Sequence, residues 1–430
     1  MRPQFCGIVD ALPPDKSISH RAALIGAIST GETRIENFSA SEDNQSTLSA
    51  LRQLGVFIHQ EGSLMQTVSI RSNGLFDLKP SLSPIQCNNS GSTMRMLAGI
   101  LAAQPFCSTL VGDSSLMQRP MKRIATPLAR MGARLSLSEN DTAPIQICGK
   151  KPLLPIVYHT PVASAQVKSC LILAALHADG TSEISESIPT RNHTEIMLGL
   201  IDPEHAQTPE KITVHGLKPI EAKSFFIPSD ASAACFLVAL ALLSRSSELI
   251  LKHVCLNPTR TGFLTILARA GATVRTENVR NIGGERIGDL VCTNLSLETP
   301  LRISDRALIA NAIDELPMLG VLSALATEEF ELHHAEELRT KECDRIAALV
   351  LNLRAMGFLC EEFPDGFCVK GRTTTPNKLI HIKTFNDHRI AMSFGVASYF
   401  SDAELVLDDC NCTAISFPNF FELLDSLKHS

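Results

Sequence analysis

One pattern recurs six times along this chain and limits what it can fold into. A Ser or Asp opens a run of small and aliphatic residues. The six runs are "SHRAALIGAIST" from Ser19, "SGSTMRMLAGILAAQ" from Ser90, "SAQVKSCLILAAL" from Ser164, "SDASAACFLVALALL" from Ser229, "DELPMLGVLSALA" from Asp314 and "DHRIAMSFGVASYF" from Asp387. Their starts lie about 65–85 residues apart, and a fixed period of this kind marks repeated structure. Each run is apolar nearly all round, as a helix buried on every side must be. Ala, Gly and Ser let neighbouring backbones come close.

A second helical segment recurs between them and ends in Gly: "LSALRQLG" (48–55), "IATPLARMG" (124–132), "FLTILARAG" (263–271) and "LVLNLRAMG" (349–357). The Gly fits a left-handed residue just past a helix end. Strand-like segments such as "VFIHQ" and "ATVRT" follow. The unit therefore reads strand, small-residue helix, strand, amphipathic helix, strand. Six copies make two domains of three, which suits 430 residues at roughly 100–200 per domain.

Composition narrows the function classes. Hydrophobic residues make up 44% of the chain, enough for a large core. The net charge is −6, which speaks against nucleic acid or an anionic membrane as the main partner. There is no Trp and only two Tyr, too few for a platform that stacks bases. The 13 Cys form no pair of CxxC motifs; Cys410 and Cys412 make only a CxC. They read as buried thiols in a reducing cytoplasm, with no metal site. The N-terminus lacks the pattern of a signal peptide. The most apolar run, 231–244, is shorter than the ~20 residues a membrane span needs. A soluble cytoplasmic protein is expected.

The unusual polar residues gather at the helix starts and in nearby turns. Lys16, Ser17 and Arg21 stand at the first; Asn89, Gly91 and Arg95 at the second; Ser164, Gln166 and Lys168 at the third. Arg119 precedes a Pro in "GDSSLMQRPMKR". Further turns are "TRNHTE" (190–195), "NPTRTG" (257–262), "RTKECDR" (339–345) and "NDHR" (386–389). A Ser or Asp at a helix start can simply cap orphan N–H groups. Several such ends gathered together, each carrying about half a positive charge, form an anion site instead. An Arg in a tight turn suits bidentate binding of carboxylate or phosphate. Two acids stand apart: Asp314 opens an apolar helix, and Glu342 lies between Lys341 and Arg345. Burial raises a carboxyl pKa and cations lower it, and such opposed environments suit an acid and a base.

Taken in order, "DKSISHRAAL", "NNSGSTMR", "DSSLMQRPM", "SAQVKSCLILAAL", "NPTRTG", "IDELPMLGVLSALA", "AEELRTKECDRI", "NDHRIAM" and "CTAISFPNFFELL" resemble the 3-phosphoshikimate 1-carboxyvinyltransferases, the EPSP synthases, over nearly the whole chain. The resemblance implies an α/β fold: a two-domain inside-out α/β barrel of six βαβαββ repeats, three per domain. Crossovers near residues 15 and 230 give an N-terminal domain of 15–230 and a C-terminal domain of 1–14 plus 231–430, with the active site in the cleft and closure when substrate binds. It implies transfer of the enolpyruvyl group of phosphoenolpyruvate to the 5-hydroxyl of shikimate 3-phosphate, with release of phosphate and no metal or organic cofactor. The family default is a monomer.

The same resemblance assigns roles by position. Lys16 contacts both substrates. Ser17 and Arg21 hold the shikimate side, and Ser164, Thr190 and Lys341 its phosphate. Gln166 lies between the ligands. Gly91, Arg119, Arg345 and Arg389 grip phosphoenolpyruvate. Asp314 is the base on the 5-hydroxyl, and Glu342 the acid that protonates the methylene.

Two departures stand out. Ser164-Ala165 replaces the usual pair of serines, and Ile415 in "CTAISFP" occupies the place of a usual lysine. The expectation there is weaker phosphoenolpyruvate binding or a cation supplied from elsewhere. Two rival readings are a UDP-N-acetylglucosamine enolpyruvyl transferase and a DNA-encircling clamp. The first usually carries a catalytic Cys in a loop that here, between Leu110 and Pro120, has none. The second conflicts with the net negative charge.

Overall fold

The computed structural model describes residues 3–63, 65–202, 211–244, 247–293, 296–372 and 378–429. The small-residue runs are helices: Lys16–Gly26, Gly91–Leu101, Ala165–Ala175, Ala231–Leu243, Leu316–Thr327 and His388–Ser398. Ala231–Leu243 is buried at every residue. The close approach that small residues permit is visible at Gly99. A Cβ there would stand 2.2 Å from the carbonyl oxygen of Cys170 on the neighbouring Ala165–Ala175 helix.

Five of the six starts are capped by a side chain that accepts a backbone N–H. The caps are Asp15, Ser90, Ser164, Asp230 and Asp387. Two starts differ from the sequence reading. The first helix begins at Lys16 rather than at Ser19, because Asp15 takes the N–H of Ile18 and pulls the polar turn into the helix. The fourth is capped by Asp230, not Ser229. Asp314 sits two residues ahead of Leu316–Thr327, in the turn after Arg306–Ala312.

The intervening amphipathic helices are Glu42–Gln53, Lys122–Arg130, Gly262–Arg269 and Arg345–Ala355. Gly55, Gly132, Gly271 and Gly357 follow them with φ of 82°, 102°, 90° and 88°, the left-handed geometry that glycine tolerates best.

Among the described residues there are six sheets. Each contains one parallel pair. In four of them that pair flanks a small-residue helix directly, as Ile85–Gln86 and Cys107–Val111 flank Gly91–Leu101. In the other two the partners are exchanged along the chain. Gln4–Val9 pairs with Glu248–Cys255, and Phe225–Phe226 pairs with Thr30–Ser39.

The chain accordingly divides into two compact units. One is Pro14–Ile227 with Ile282–Glu285; the other is Met1–Pro13, Pro228–Asn281 and Arg286–Ser430. Three sheets lie in each. In the second unit one apolar core gathers Phe236, Phe330, Phe367, Phe394 and Phe420 around the Ala231–Leu243 helix.

The expectation of thiols throughout is corrected at one place. Cys107 and Cys148 are bonded. They face each other directly across antiparallel strands, where opposed side chains lie closest. The other 11 cysteines are free, most of them buried. Among the described residues no single helix is long and apolar enough to cross a membrane. The helices Arg306–Ala312 and Leu316–Thr327 meet that test only as a pair bent by 103°.

Candidate active site

The polar helix starts of the first unit converge through their side chains. Lys16 Nζ lies 2.8 Å from Asp43 Oδ2 in the first turn of Glu42–Gln53. Arg21 is buried and held at three points. Its Nε donates to Thr194 Oγ1 and one terminal nitrogen to Ser169 Oγ, both at 2.8 Å. The other donates to the carbonyl of Ser17 at 2.9 Å. Arg191 donates to the Ser17 hydroxyl at 3.2 Å. These three bonds fix the orientation of a buried guanidinium that carries five N–H donors, so it can meet an anion without rearranging.

His20 lies one turn along the same helix, fully buried. Its Nδ1 is 2.7 Å from Thr47 Oγ1, which is 2.6 Å from Thr93 Oγ1. Thr93 in turn donates to the Ser90 cap at 2.8 Å. Burial, followed by the charges of Lys16 and Arg21, holds the His20 pKa well below its ordinary value. The imidazole is therefore neutral, and this chain of hydroxyls joins the Lys16 helix to the Gly91 helix.

Around Gly91 two guanidinium groups meet. A Cβ on that glycine would lie 2.9 Å from an Arg95 nitrogen and 3.3 Å from one of Arg119. Arg95 donates to Gln166 Oε1 at 2.5 Å, and Gln166 donates to Ser92 Oγ at 2.9 Å. Arg119 donates to Asn89 Oδ1 at 2.7 Å. Ser164 caps its helix through Val167 N–H. Thr190 gives its hydroxyl hydrogen to Glu186 at 2.7 Å. The structure thus brings together Gly91, Arg119 and Gln166, and separately Ser17 and Arg21.

The second unit gathers the acids. Arg345 is fully buried at the start of Arg345–Ala355. Its guanidinium donates to Asp387 Oδ2 at 2.8 Å and to Glu342 Oε2 at 2.6 Å, and lies 3.5 Å from Asp314 Oδ1. Burial alone lowers its pKa, but Asp387, Glu342 and Asp314 outweigh burial and raise it, so the cation is permanent. Arg389 donates to the Asp314 carbonyl at 3.0 Å and lies 3.6 Å from its carboxylate. Burial lowers the pKa of Lys341, and the nearby Asp314 opposes that shift. Glu342 lies ahead of its helix, which Asp344 caps. Lys341, Asp314, Glu342, Arg345 and Arg389 therefore form one cluster. Ile415 is 8% exposed and packs with Ala391 and Cys412, so the place of the family's lysine is an apolar contact.

Sequence reasoning missed Asp43, Asp387 and Arg191 as partners of these groups. Each is paired with a residue far away along the chain, and only "NDHR" and "TRNHTE" hinted at two of them. Among the described residues no group of three or more His, Cys, Asp or Glu is placed to hold a metal ion.

Comparison with known proteins shows the fold and then the family. The fold is shared with the enolpyruvyl transferase NikO from Streptomyces tendae at a TM-score of 0.71, covering 99% of this chain and 96% of that one; at 14% identity the likeness is of fold alone. The structure of EPSP synthase from Acinetobacter baumannii matches at a TM-score of 0.83 and 37% identity, covering 100% of this chain and 97% of that one. The family model for EPSP synthase (3-phosphoshikimate 1-carboxyvinyltransferase) matches residues 3–424. Two relatives named 3-phosphoshikimate 1-carboxyvinyltransferase, from Chloroherpeton thalassium and Pelodictyon phaeoclathratiforme, are each 58% identical over 430 residues, 99% of either chain. The chain belongs to the EPSP synthase family.

Proposed function

We infer that the chain transfers the enolpyruvyl group of phosphoenolpyruvate to the 5-hydroxyl of shikimate 3-phosphate, releasing phosphate, in the shikimate pathway to chorismate and the aromatic amino acids. Full-length relatives at 58% identity carry this reading, and neither a UDP-N-acetylglucosamine transferase nor a DNA clamp is favoured beside it. We take the six sheets as copies of one βαβαββ unit, three to an inside-out barrel. A cytoplasmic monomer is part of the same proposal.

The residues then take the roles that their chemistry fits. Both substrates are polyanions, so binding them is the work of Lys16, Ser17, Arg21, Ser164, Thr190 and Lys341 for shikimate 3-phosphate, and of Gly91, Arg119, Arg345 and Arg389 for phosphoenolpyruvate. Gln166 serves both. Asp314 takes the proton from the 5-hydroxyl as its oxygen bonds to C2 of phosphoenolpyruvate. Glu342 gives a proton to C3, which becomes a methyl group. The tetrahedral ketal then loses phosphate and one methyl proton, restoring the double bond. Fixed guanidinium and ammonium groups offset the charge that builds when two anions are forced together.

A phosphate-release assay tests this. Wild type turns over with both substrates, while Asp314→Asn and Glu342→Gln lose about 10²–10⁴-fold in kcat, the usual worth of a general acid or base. A wild type that releases no phosphate defeats the reading.

A further inference from the structure

A lysine buried to 1% exposure lies outside every role given above. Lys168, in Ala165–Ala175, places its ammonium 2.6 Å from Glu186 Oε1 and 2.8 Å from Glu195 Oε1. The two carboxylates are 5% and 0% exposed. A lysine this deep is rare unless paired. Such pairs add little stability, because desolvation offsets their attraction, so fold stability alone is a poor reason for this one.

The geometry shows what the cluster holds. Glu186 ends the strand Thr181–Glu186, and Glu195 lies in the helix His193–Leu198. Between them runs the turn that carries Thr190 and Arg191. Glu186 accepts the Thr190 backbone N–H at 2.8 Å and its hydroxyl at 2.7 Å, while Lys168 donates to the Thr190 carbonyl at 3.2 Å. Thr190 is thus gripped at N–H, side chain and C=O by one ion cluster. The next residue, Arg191, reaches Ser17. Alongside, Ser169 and Thr194 bond at 2.7 Å and both receive Arg21. They are the immediate chain neighbours of Lys168 and Glu195. The same pair of elements therefore mounts Arg21 and fixes the Thr190–Arg191 turn.

We propose that Lys168, through Glu186 and Glu195, is a positioning residue for the shikimate 3-phosphate side of the reaction: it sets the Thr190–Arg191 turn and the mount of Arg21 without touching substrate. The inference rests on the family function above. It gives the cluster a kinetic signature that a purely structural lysine lacks.

The test is Lys168→Met in the full chain, with Michaelis constants for both substrates and hydrogen exchange over residues 186–195. The constant for shikimate 3-phosphate rises about tenfold or more, that for phosphoenolpyruvate stays within about twofold, and exchange in 186–195 quickens. A folded variant with both constants unchanged, with both raised alike, or with unchanged exchange overturns the proposal. Should Lys168→Met fail to fold, Glu186→Gln decides by the same measures. It keeps the side-chain shape but removes one acceptor from Thr190. Failure of the reaction assignment itself would be distinct, since wild type would then release no phosphate.

Discussion

Adding one methyl group at Gly91 separates binding from folding. In Gly91→Ala the new Cβ lies 2.9 Å from an Arg95 nitrogen and 3.3 Å from one of Arg119. Ordinary contacts start near 3.4 Å, so the Arg95 head must retreat by about half an ångström. Both obstacles are far ends of flexible side chains, and the backbone need not move. The cost falls on the arrangement instead. Arg95 is tied to Gln166 at 2.5 Å, so the retreat strains that bond or drags Gln166 with it. Losing about half of a charged hydrogen bond, itself about 1.5–3 kcal/mol, gives about 0.8–1.5 kcal/mol, a change of about four- to twelvefold. The Michaelis constant for phosphoenolpyruvate therefore rises about four- to twelvefold in a phosphate-release assay, that for shikimate 3-phosphate stays within about twofold, and the melting temperature barely moves. Gly99→Ala is the control. Its Cβ meets the Cys170 carbonyl at 2.2 Å, a backbone atom in a packed helix. That variant loses about 3 kcal/mol of stability or fails to fold. An unchanged phosphoenolpyruvate constant in Gly91→Ala would refute the placing of Gly91 against the two arginines as a binding feature.

Two further predictions follow from the same geometry. Ile415→Lys restores the family's cation, and the Michaelis constant for phosphoenolpyruvate is expected to fall severalfold. Because Ile415 packs against Ala391 and Cys412, denaturant unfolding should show a loss of about 1–3 kcal/mol; no fall in the constant rules out weakened binding through the missing lysine. His20 gives a pH dependence. Its folded pKa is depressed, so below the unfolded value near 6.5 only the unfolded chain takes the proton, and stability falls with pH until the folded pKa is reached. Between pH 7.5 and 5.5 wild type should lose up to about 1.4 kcal/mol more than His20→Asn; equal losses in urea titrations would contradict a neutral, buried His20.

What could be read from the sequence depended on how local the cause was. Ser90, Ser164 and Asp387 were legible as helix starts because each caps an N–H two or three residues on. The glycines at 55, 132, 271 and 357 were legible for the same reason. Ser19 misled because the apolar run begins there, whereas the helix begins where Asp15 can cap it, a full polar turn earlier. Ser229 and Asp230 are adjacent and both able caps, so composition could not choose between them. The bond between Cys107 and Cys148 spans 41 residues and depends on strand register, which no spacing rule reveals. Asp43 on Lys16, Asp387 on Arg345 and Glu195 on Lys168 are likewise long-range pairings. The sequence shows each cation but not the carboxylate that aims it.

Those pairings divide the chemistry by charge. In the first unit Lys16 pairs with Asp43, while Arg21, Arg95, Arg119 and Arg191 donate to hydroxyl, amide and carbonyl oxygens. In the second unit Lys341, Arg345 and Arg389 face Asp314, Glu342 and Asp387, and the cluster is close to neutral. An acidic protein can bind polyanions through cations that are held in fixed positions. Asp314 and Glu342, the proposed base and acid, are kept with cations of their own. Glu342 rests on Arg345 at 2.6 Å, and Arg345 is also a proposed ligand of phosphoenolpyruvate. With that role, the incoming carboxylate or phosphate would compete with Glu342 for one guanidinium. A carboxylate displaced from its cation holds a proton more readily, which is the state an acid needs when the methylene is to be protonated. On the proposed roles, binding of phosphoenolpyruvate and readiness of Glu342 would in this way be coupled through Arg345.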